Sequence, residues 1–143
     1  NRKVVISGRS MINNINIAKE LGYLNFRDGL IVELNEAKIL QDKKLVIVCT
    51  GTQGEPMSAL SRIANGTHQH FACNSGDRVI ITASVIPGNE RTVSVVINSL
   101  MKMGANVFYE NDDNVHVSGH ASQEELKLMI SLIKPKFFRS CIH

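Results

Sequence analysis

The sequence predicts an α/β fold, in which a mainly parallel sheet carries helices on both of its faces. Short runs of continuously apolar residues, such as Leu45–Cys49, alternate along the chain with segments whose apolar residues recur at helical spacing. Strands that are apolar on both sides are typical of a parallel sheet covered by helices. Glycine-containing loops also follow three consecutive strands, at the end where open α/β sheets bind ligands.

The first third of the chain supplies three predicted strands and two predicted helices. Residues 3–7 (KVVIS) form an apolar strand, and the amphipathic helix that follows it ends at Gly22. Residues 30–32 predict a short strand, and residues 35–41 predict a short helix. Leu45–Cys49 is the third strand.

The middle of the chain continues the alternation. Residues 57–65 predict a helix, residues 79–83 a buried strand, and residues 90–103 a longer helix with a regular apolar stripe. Gly104 stops this last helix before the apolar residues 107–109.

The last elements surround a histidine loop. Residues 115–118 alternate as a strand, and a helix over Gln123–Ile133 follows a glycine turn. Ser122 has the position of an N-cap, and Glu125 lies three residues later as its partner in a capping box. We therefore expect the loop to open directly onto a helix N-terminus.

The composition indicates one globular domain. The chain has 143 residues, of which 43% are hydrophobic and 20% are charged. A net charge of +3 is compatible with nucleic acid without requiring it, and an aromatic content of 5% argues against a platform that stacks single-stranded bases. No run approaches the roughly 20 apolar residues of a membrane helix, so no membrane partner is expected. Three cysteines without a C-x-x-C pair favour a reduced, cytoplasmic protein.

His120 is the principal candidate functional residue. It lies between a predicted strand and a predicted helix N-terminus, where backbone N–H groups attract anions. Ser118, Gly119 and the His120 imidazole can converge on one phosphate. The same loop can instead be purely structural, with His116 packed and His120 solvated.

A second candidate phosphate site is the loop after Leu45–Cys49. Its exposed N–H groups around Gly54 can wrap a phosphate or ribose, with Gln53 and Glu55 as side-chain contacts. Any strand-to-helix turn with two glycines looks similar, and Glu55 and Ser58 can simply cap the next helix.

Two further segments at strand ends can likewise be either ligand-binding or purely structural. Ser84, Gly88 and Asn89 belong to a turn that either lines a cleft or only reverses the chain. Arg9 and Ser10 follow the first strand, where the guanidinium suits a phosphodiester but can equally be solvated. We expect His68 and His70 to be surface residues.

Taken together and in order, these segments resemble the ribonuclease J family, in the β-CASP branch of the metallo-β-lactamase superfamily. The likeness covers nearly the whole chain. The matching stretches are residues 8–11 (GRSM), 51–60 (GTQGEPMSAL), 86–90 (IPGNE), 116–120 (HVSGH), 123–128 (QEELKL) and 134–136 (KPK).

The resemblance implies a division of the chain and an activity. In this family a Rossmann-like β-CASP domain is inserted within the metallo-β-lactamase domain. Residues 1–113 look like most of that insert, and residues 114–143 look like the start of the returning lactamase-type domain. The family cleaves RNA by metal-dependent hydrolysis, from the 5′ end and internally, and the β-CASP part clamps the single strand. The implied catalytic residue of this chain is His120, close to the scissile phosphate.

The metal chemistry of the family is mostly missing from this sequence. The H-x-H-x-D-H motif that builds its zinc or other divalent metal site has no match here, so the chain alone is expected to hold no cofactor and to be inactive. His143 is an implied metal ligand, although the proline and Gly-Glu that should accompany it are absent. Expected partners are single-stranded RNA, the missing metallo-β-lactamase domain and another copy of the chain.

Two alternatives to this interpretation remain open from the sequence. The chain can be a stand-alone Rossmann-like module that binds a nucleotide or another anion at its strand-end loops. It can also be a structural or interaction protein whose loops only turn the chain.

Overall fold

The structure, a computed structural model, describes residues 2–109 and 119–139. Within them, four strands and five α-helices follow one another, with a 3₁₀ turn at Asp42–Lys44 before the second strand. The elements are β1 (Lys3–Ser7), α1 (Arg9–Glu20), α2 (Leu34–Ala37), β2 (Leu45–Cys49), α3 (Ala59–Ala64), β3 (Arg78–Ile80), α4 (Glu90–Lys102), β4 (Asn106–Phe108) and α5 (Gln123–Ile133).

The described strands form two parallel pairs. Strand β1 pairs with β2 from Lys3 opposite Leu45 onwards, and β3 pairs with β4 from Arg78 opposite Asn106. Each pair is joined through helical segments, as parallel strands require. The predicted α/β class with parallel strands is therefore confirmed.

The predicted strand at residues 30–32 is reduced to one bridge. Ile31 lies parallel to Val4, whose N–H donates to the Leu30 carbonyl at 2.9 Å. The Val32 N–H in turn donates a hydrogen bond of 2.9 Å to the Val4 carbonyl. This short segment thus continues the first pair at the free edge of β1.

Three predicted boundaries differ from the structure for local reasons. Helix α3 begins at Ala59, not at residue 57, because the Ser58 hydroxyl caps the Ser61 N–H at 3.3 Å. The predicted helix at 35–41 is the single turn of α2, since the chain beyond it turns into the 3₁₀ segment. Strand β3 starts one residue early and stops at Ile80. The predicted strand at 115–118 lies outside the described residues.

Two hydrophobic clusters form the core. The larger cluster lies between α3, α4 and the second strand pair, and Leu100 of α4 is completely buried in it. The smaller cluster consists of Val5, Val32 and Ala37. Phe71 packs against both clusters and so connects the two halves of the fold.

The expectation that His68 and His70 are surface residues is met only in part, since both are half-buried. The His68 ring stacks on Phe71, with ring centroids 5.3 Å apart. The His68 Nδ1 accepts hydrogen bonds from the backbone N–H groups of His70 at 3.3 Å and Phe71 at 3.1 Å. His68 therefore fixes the segment that carries the connecting phenylalanine.

Helix α5 leaves most of its apolar side chains exposed to solvent. None of its residues is buried. Five of its large apolar side chains and two phenylalanines after it are more than half exposed, namely Leu126, Leu128, Met129, Leu132, Ile133, Phe137 and Phe138. We call these seven residues the α5 apolar surface.

Candidate functional site

Three loops meet around a cleft of about 540 Å³. The loop after β2 contributes Gln53, the loop after β3 contributes residues 83–87, and the segment before α5 contributes Gly119 and His120. Gln53 of the loop after β2 hydrogen-bonds to Ser84 and Ile86 of the loop after β3, so these two loops lie side by side. Of the predicted site residues, the cleft thus unites Gln53, Ser84, Gly119 and His120.

The loop after β2 is held tightly against helix α4. Gly54 is buried, with a φ of +75°, and a Cβ added there would lie 2.8 Å from the carbonyl carbon of Thr92. No side chain fits between the two backbones, and glycine adopts this left-handed conformation without strain. Glycine at position 54 therefore allows the loop to approach α4 closely. The Gly54 N–H also donates a hydrogen bond to the Gly51 carbonyl at 3.3 Å.

The Gln53 amide makes hydrogen bonds to the neighbouring loop. Its Nε2 donates to the Ser84 carbonyl at 2.9 Å, and its Oε1 accepts the Ile86 N–H at 2.9 Å. The Asn89 Nδ2 donates to the same Oε1 at 3.4 Å. The polar atoms of Gln53 thus face protein groups, although the residue lines the cleft.

Two carboxylates occupy N–H groups that the sequence offers to a phosphate. The Glu55 Oε2 accepts the Gln53 N–H at 3.3 Å, and the Glu90 Oε2 accepts the Gly88 N–H at 2.9 Å. Hydrogen bonds from its own backbone N–H and from Gly88 hold the pKa of the Glu90 carboxyl below its usual range. The start of α4 is consequently capped from within the chain.

The predicted capping box at the start of α5 is present. The Ser122 N–H donates to the Glu125 Oε2 at 2.6 Å, and the Glu125 N–H donates to the Ser122 Oγ at 3.4 Å. These bonds fix the direction in which the chain enters α5. His120 lies two residues before this cap and lines the cleft.

Other predicted site residues lie outside the cleft. Arg9 and Ser10 are exposed at the start of α1, where the preceding Gly8 lies beside Thr50. Glu55 and Gly88 are exposed in the flanking loops, and Asn89 is half-buried. Ser118 and His143 lie outside the described residues.

Sequence reasoning missed the apolar wall of the cleft. Ala83, Val85, Ile86 and Pro87 form it, and Ile86 is 56% exposed. The signal was an apolar Val-Ile pair inside a proline-glycine turn, where solvent-facing residues are usually polar. The cleft accordingly combines an apolar wall with the polar groups of Ser84 and His120.

The described residues do not fit the divalent metal that the family resemblance implies. Across 2–109 and 119–139, no three histidine, cysteine, aspartate or glutamate side chains come together as a metal-binding group. Within these ranges, His120 is the only residue of the four types that lines the cleft. No chemical step through a metal can be assigned to the described residues.

Among the residues that the structure describes, no helix has the length and apolar character needed to cross a membrane.

Comparison with known proteins confirms the resemblance. Residues 1–100 match the family model described as "Ribonuclease J, beta-CASP domain". The chain is 53% identical over 138 residues to a Ribonuclease J of Helicobacter pylori, and 51% identical over 137 residues to a Ribonuclease J of Thermus thermophilus. A Synechocystis Ribonuclease J is 48% identical over 137 residues. Each alignment covers 96% of this chain but only 20%, 24% and 21% of the respective relative.

Proposed function

Because this chain belongs to the ribonuclease J family, we propose that it is the RNA-clamping part of a metal-dependent, RNA-processing nuclease. The intact enzyme hydrolyses phosphodiester bonds of single-stranded RNA, from the 5′ end and internally. The chain spans only a fifth to a quarter of its relatives, so the rest of the enzyme supplies what is missing here.

The cleft between the three loops is the observation that carries this proposal. It places an imidazole, a hydroxyl and an apolar wall around one space, next to the start of α5. A phosphodiester can accept hydrogen bonds from His120 and the Gly119 N–H, while the apolar parts of a nucleotide pack against Ile86 and Pro87. An RNA strand is thus bound by its backbone and covered on one side.

His120 acts at the phosphate in this proposal. A hydrogen bond from its imidazole to a phosphoryl oxygen strengthens as negative charge develops there during hydrolysis. The contact then stabilises the transition state more than the bound substrate, which is the condition for catalysis. The divalent metal, which activates water in such enzymes, belongs to the remainder of the protein.

We assign residues 1–113 to the β-CASP domain and residues 114–143 to the returning metallo-β-lactamase domain. The α5 apolar surface belongs to the second part, and the remainder of that lactamase domain covers it. His143 stays a candidate metal ligand within this division. The reduced cysteines Cys49 and Cys73 agree with a cytoplasmic enzyme.

The intact enzyme that carries this segment tests the role of His120. We expect His120→Ala to lower the single-turnover cleavage rate about a hundredfold, while the equilibrium Kd for RNA rises less than about tenfold. The matched control is His70→Ala, because His70 lies outside the residues that line the cleft. Unchanged cleavage by His120→Ala, with circular dichroism showing an intact fold, would remove His120 from the reaction.

The isolated 143-residue chain provides a second test of the proposed function. We expect no cleavage of labelled RNA by this chain in zinc, manganese or magnesium. Turnover that co-purifies with the chain and vanishes in His120→Ala would show that the metal site does not depend on the rest of the enzyme. Binding of mononucleotides without preference for RNA would favour the alternative of a nucleotide-binding module.

A further inference from the structure

We infer that Gln53 is a positioning residue, whose amide fixes the loop after β2 to the loop after β3 and so sets the shape of the RNA-binding wall. The inference rests on the proposed function, since the wall matters only if RNA lies against it. Sequence alone suggests the opposite role, a side chain that contacts RNA directly. The geometry of the amide decides between the two roles.

Three hydrogen bonds connect the Gln53 side chain to residues 31 to 36 positions away. They hold the Ser84 carbonyl, the Ile86 N–H and the Asn89 amide. Residues 83–88 are neither strand nor helix, so no ladder or helix bond among the described residues fixes them. A glutamine amide, with a donor and an acceptor at one end, can replace the missing backbone partners on both sides of Val85.

Gly54 supplies a second anchor beside the first. Its Cα lies so close to Thr92 that an added Cβ would be 2.8 Å from the carbonyl carbon of that residue. The loop therefore touches both the segment before α4 and the first turn of α4. Gln53 and Gly54 together hold the loop after β2 against the segment before α4 and the first turn of α4. This limits how the two loops can move against each other.

The consequence for RNA concerns Ile86 and Pro87. These residues form the apolar wall, and the Ile86 backbone is the one that Gln53 holds. His120 lines the same cleft from a third loop. If Gln53 releases Ile86, the wall moves relative to His120, and RNA must bind a cleft that is no longer preorganised.

The test uses the intact protein that carries this chain and a 5′-monophosphorylated single-stranded RNA. Gln53→Met keeps the length of the side chain but removes all three hydrogen bonds. We expect hydrogen exchange of the Ile86 amide to accelerate about tenfold or more without RNA, and the Kd for RNA to rise about tenfold. Gln41→Met is the matched control, because the described Gln41 side chain makes no capping hydrogen bond.

The variant Gln53→Glu distinguishes a positioning role of Gln53 from a general destabilisation of the fold. Its carboxylate still accepts the Ile86 N–H but cannot donate to the Ser84 carbonyl. We expect Ile86 to stay protected in this variant, whereas Gln53→Met leaves it unprotected. This partial rescue is not expected if any change at residue 53 merely destabilises the fold.

The outcomes distinguish the inference from the function on which it rests. Weaker RNA binding by Gln53→Met with unchanged Ile86 exchange would mean direct contact and would overturn the inference. Faster exchange with unchanged RNA affinity would overturn it as well, because the loop would then have no effect on binding. If the unaltered protein binds no RNA, the proposed function fails, while the exchange data still decide whether Gln53 fixes the loop.

Discussion

At the scale of single residues, His68 shows how one side chain can connect two parts of a core. Its Nδ1 accepts two backbone N–H groups, so the neutral imidazole is required in this arrangement. Its ring stacks on Phe71, which packs against both hydrophobic clusters. A change in the charge of His68 therefore reaches the contact between the two halves of the fold.

This arrangement predicts a pH-dependent stability. Burial, the positive charge of Arg62 and the neighbouring His70 lower the pKa of His68 from its usual 6.5. The unfolded chain then takes up the proton first as the pH falls. The stabilising contribution of His68 is complete above pH 6.5 and is lost as the pH falls through the lowered pKa of the folded state.

Urea denaturation at pH 7, 6 and 5 measures this effect. We expect the free energy of unfolding to fall between pH 7 and pH 5, and His68→Gln to make that dependence shallower. His70→Gln is the control, because the His70 ring accepts neither of the two backbone bonds. Equal pH dependence in His68→Gln and the unaltered chain would contradict the prediction.

Gln53 marks the limit of sequence reasoning at this scale. The strand-end rule predicted that the loops after β2 and β3 lie at the ligand-binding end of the sheet, and residues of both loops line one cleft with Gly119 and His120. The hydrogen bonds of the Gln53 amide reach residues more than 30 positions away, and nothing in the local pattern encodes them. Glutamine in a glycine turn looks the same whether it faces solvent or another loop.

At the scale of elements, boundaries set by neighbouring residues were predictable. Strands β1 and β2 and helix α5 have the predicted limits, because apolar runs and the Ser122–Glu125 pair act over a few positions. Strand β3 was predicted too long, since its length depends on the short partner strand β4. Among the described residues, the ladder ends with the bond from the Ile81 N–H to the carbonyl of Phe108, the final residue of β4.

The capping box of α5 predicts a measurable loss of helix. Ser122→Ala removes the acceptor of the Glu125 N–H, and loss of an N-cap serine costs about 1 kcal/mol. Because no α5 residue is buried, no packing compensates for this cost. We expect Cα chemical shifts over Gln123–Ile133 to move towards coil values.

Ser131→Ala is the matched control for this change. The Ser131 hydroxyl donates a hydrogen bond to the Lys127 carbonyl at 2.8 Å, within the helix. Alanine has a higher helix propensity than serine at an exposed position inside a helix. We expect its helicity to be equal or higher. A comparable loss in both variants would show that the cap is not what maintains α5.

At the scale of the whole molecule, the α5 apolar surface exposes seven large apolar side chains within residues 119–139. Its seven apolar residues lie on one helix and the segment after it, and six of them are between 58% and 86% exposed, with Leu126 at 51%. Contiguous apolar surface of this kind marks an interface. In the proposed function, that interface is with the remainder of the metallo-β-lactamase domain.

Self-association of the isolated 143-residue chain follows from this exposure. We expect light scattering to give a mass that rises with protein concentration. The double variant Leu132→Lys and Phe137→Lys should return the chain towards a monomer, because each lysine replaces an exposed apolar contact with a charge. Ile39→Lys, at a residue 83% exposed after α2, is the control and should not change the mass. A monomeric unaltered chain at all concentrations would refute the prediction.

The unequal size of the two hydrophobic clusters has a consequence for the order of folding. All nine buried residues of the larger cluster come from residues 60–105, and Cys49 is the only residue of β1 and β2 that packs against them. Pairing β1 with β2 closes a longer loop, from Lys3 to Leu45, and gains a cluster of only three buried residues. Pulse-labelling hydrogen exchange should therefore protect α4 before β1. In synthesis from the N-terminus, the first strand pair would then wait for later residues, with Phe71 providing the contact on which it finally assembles.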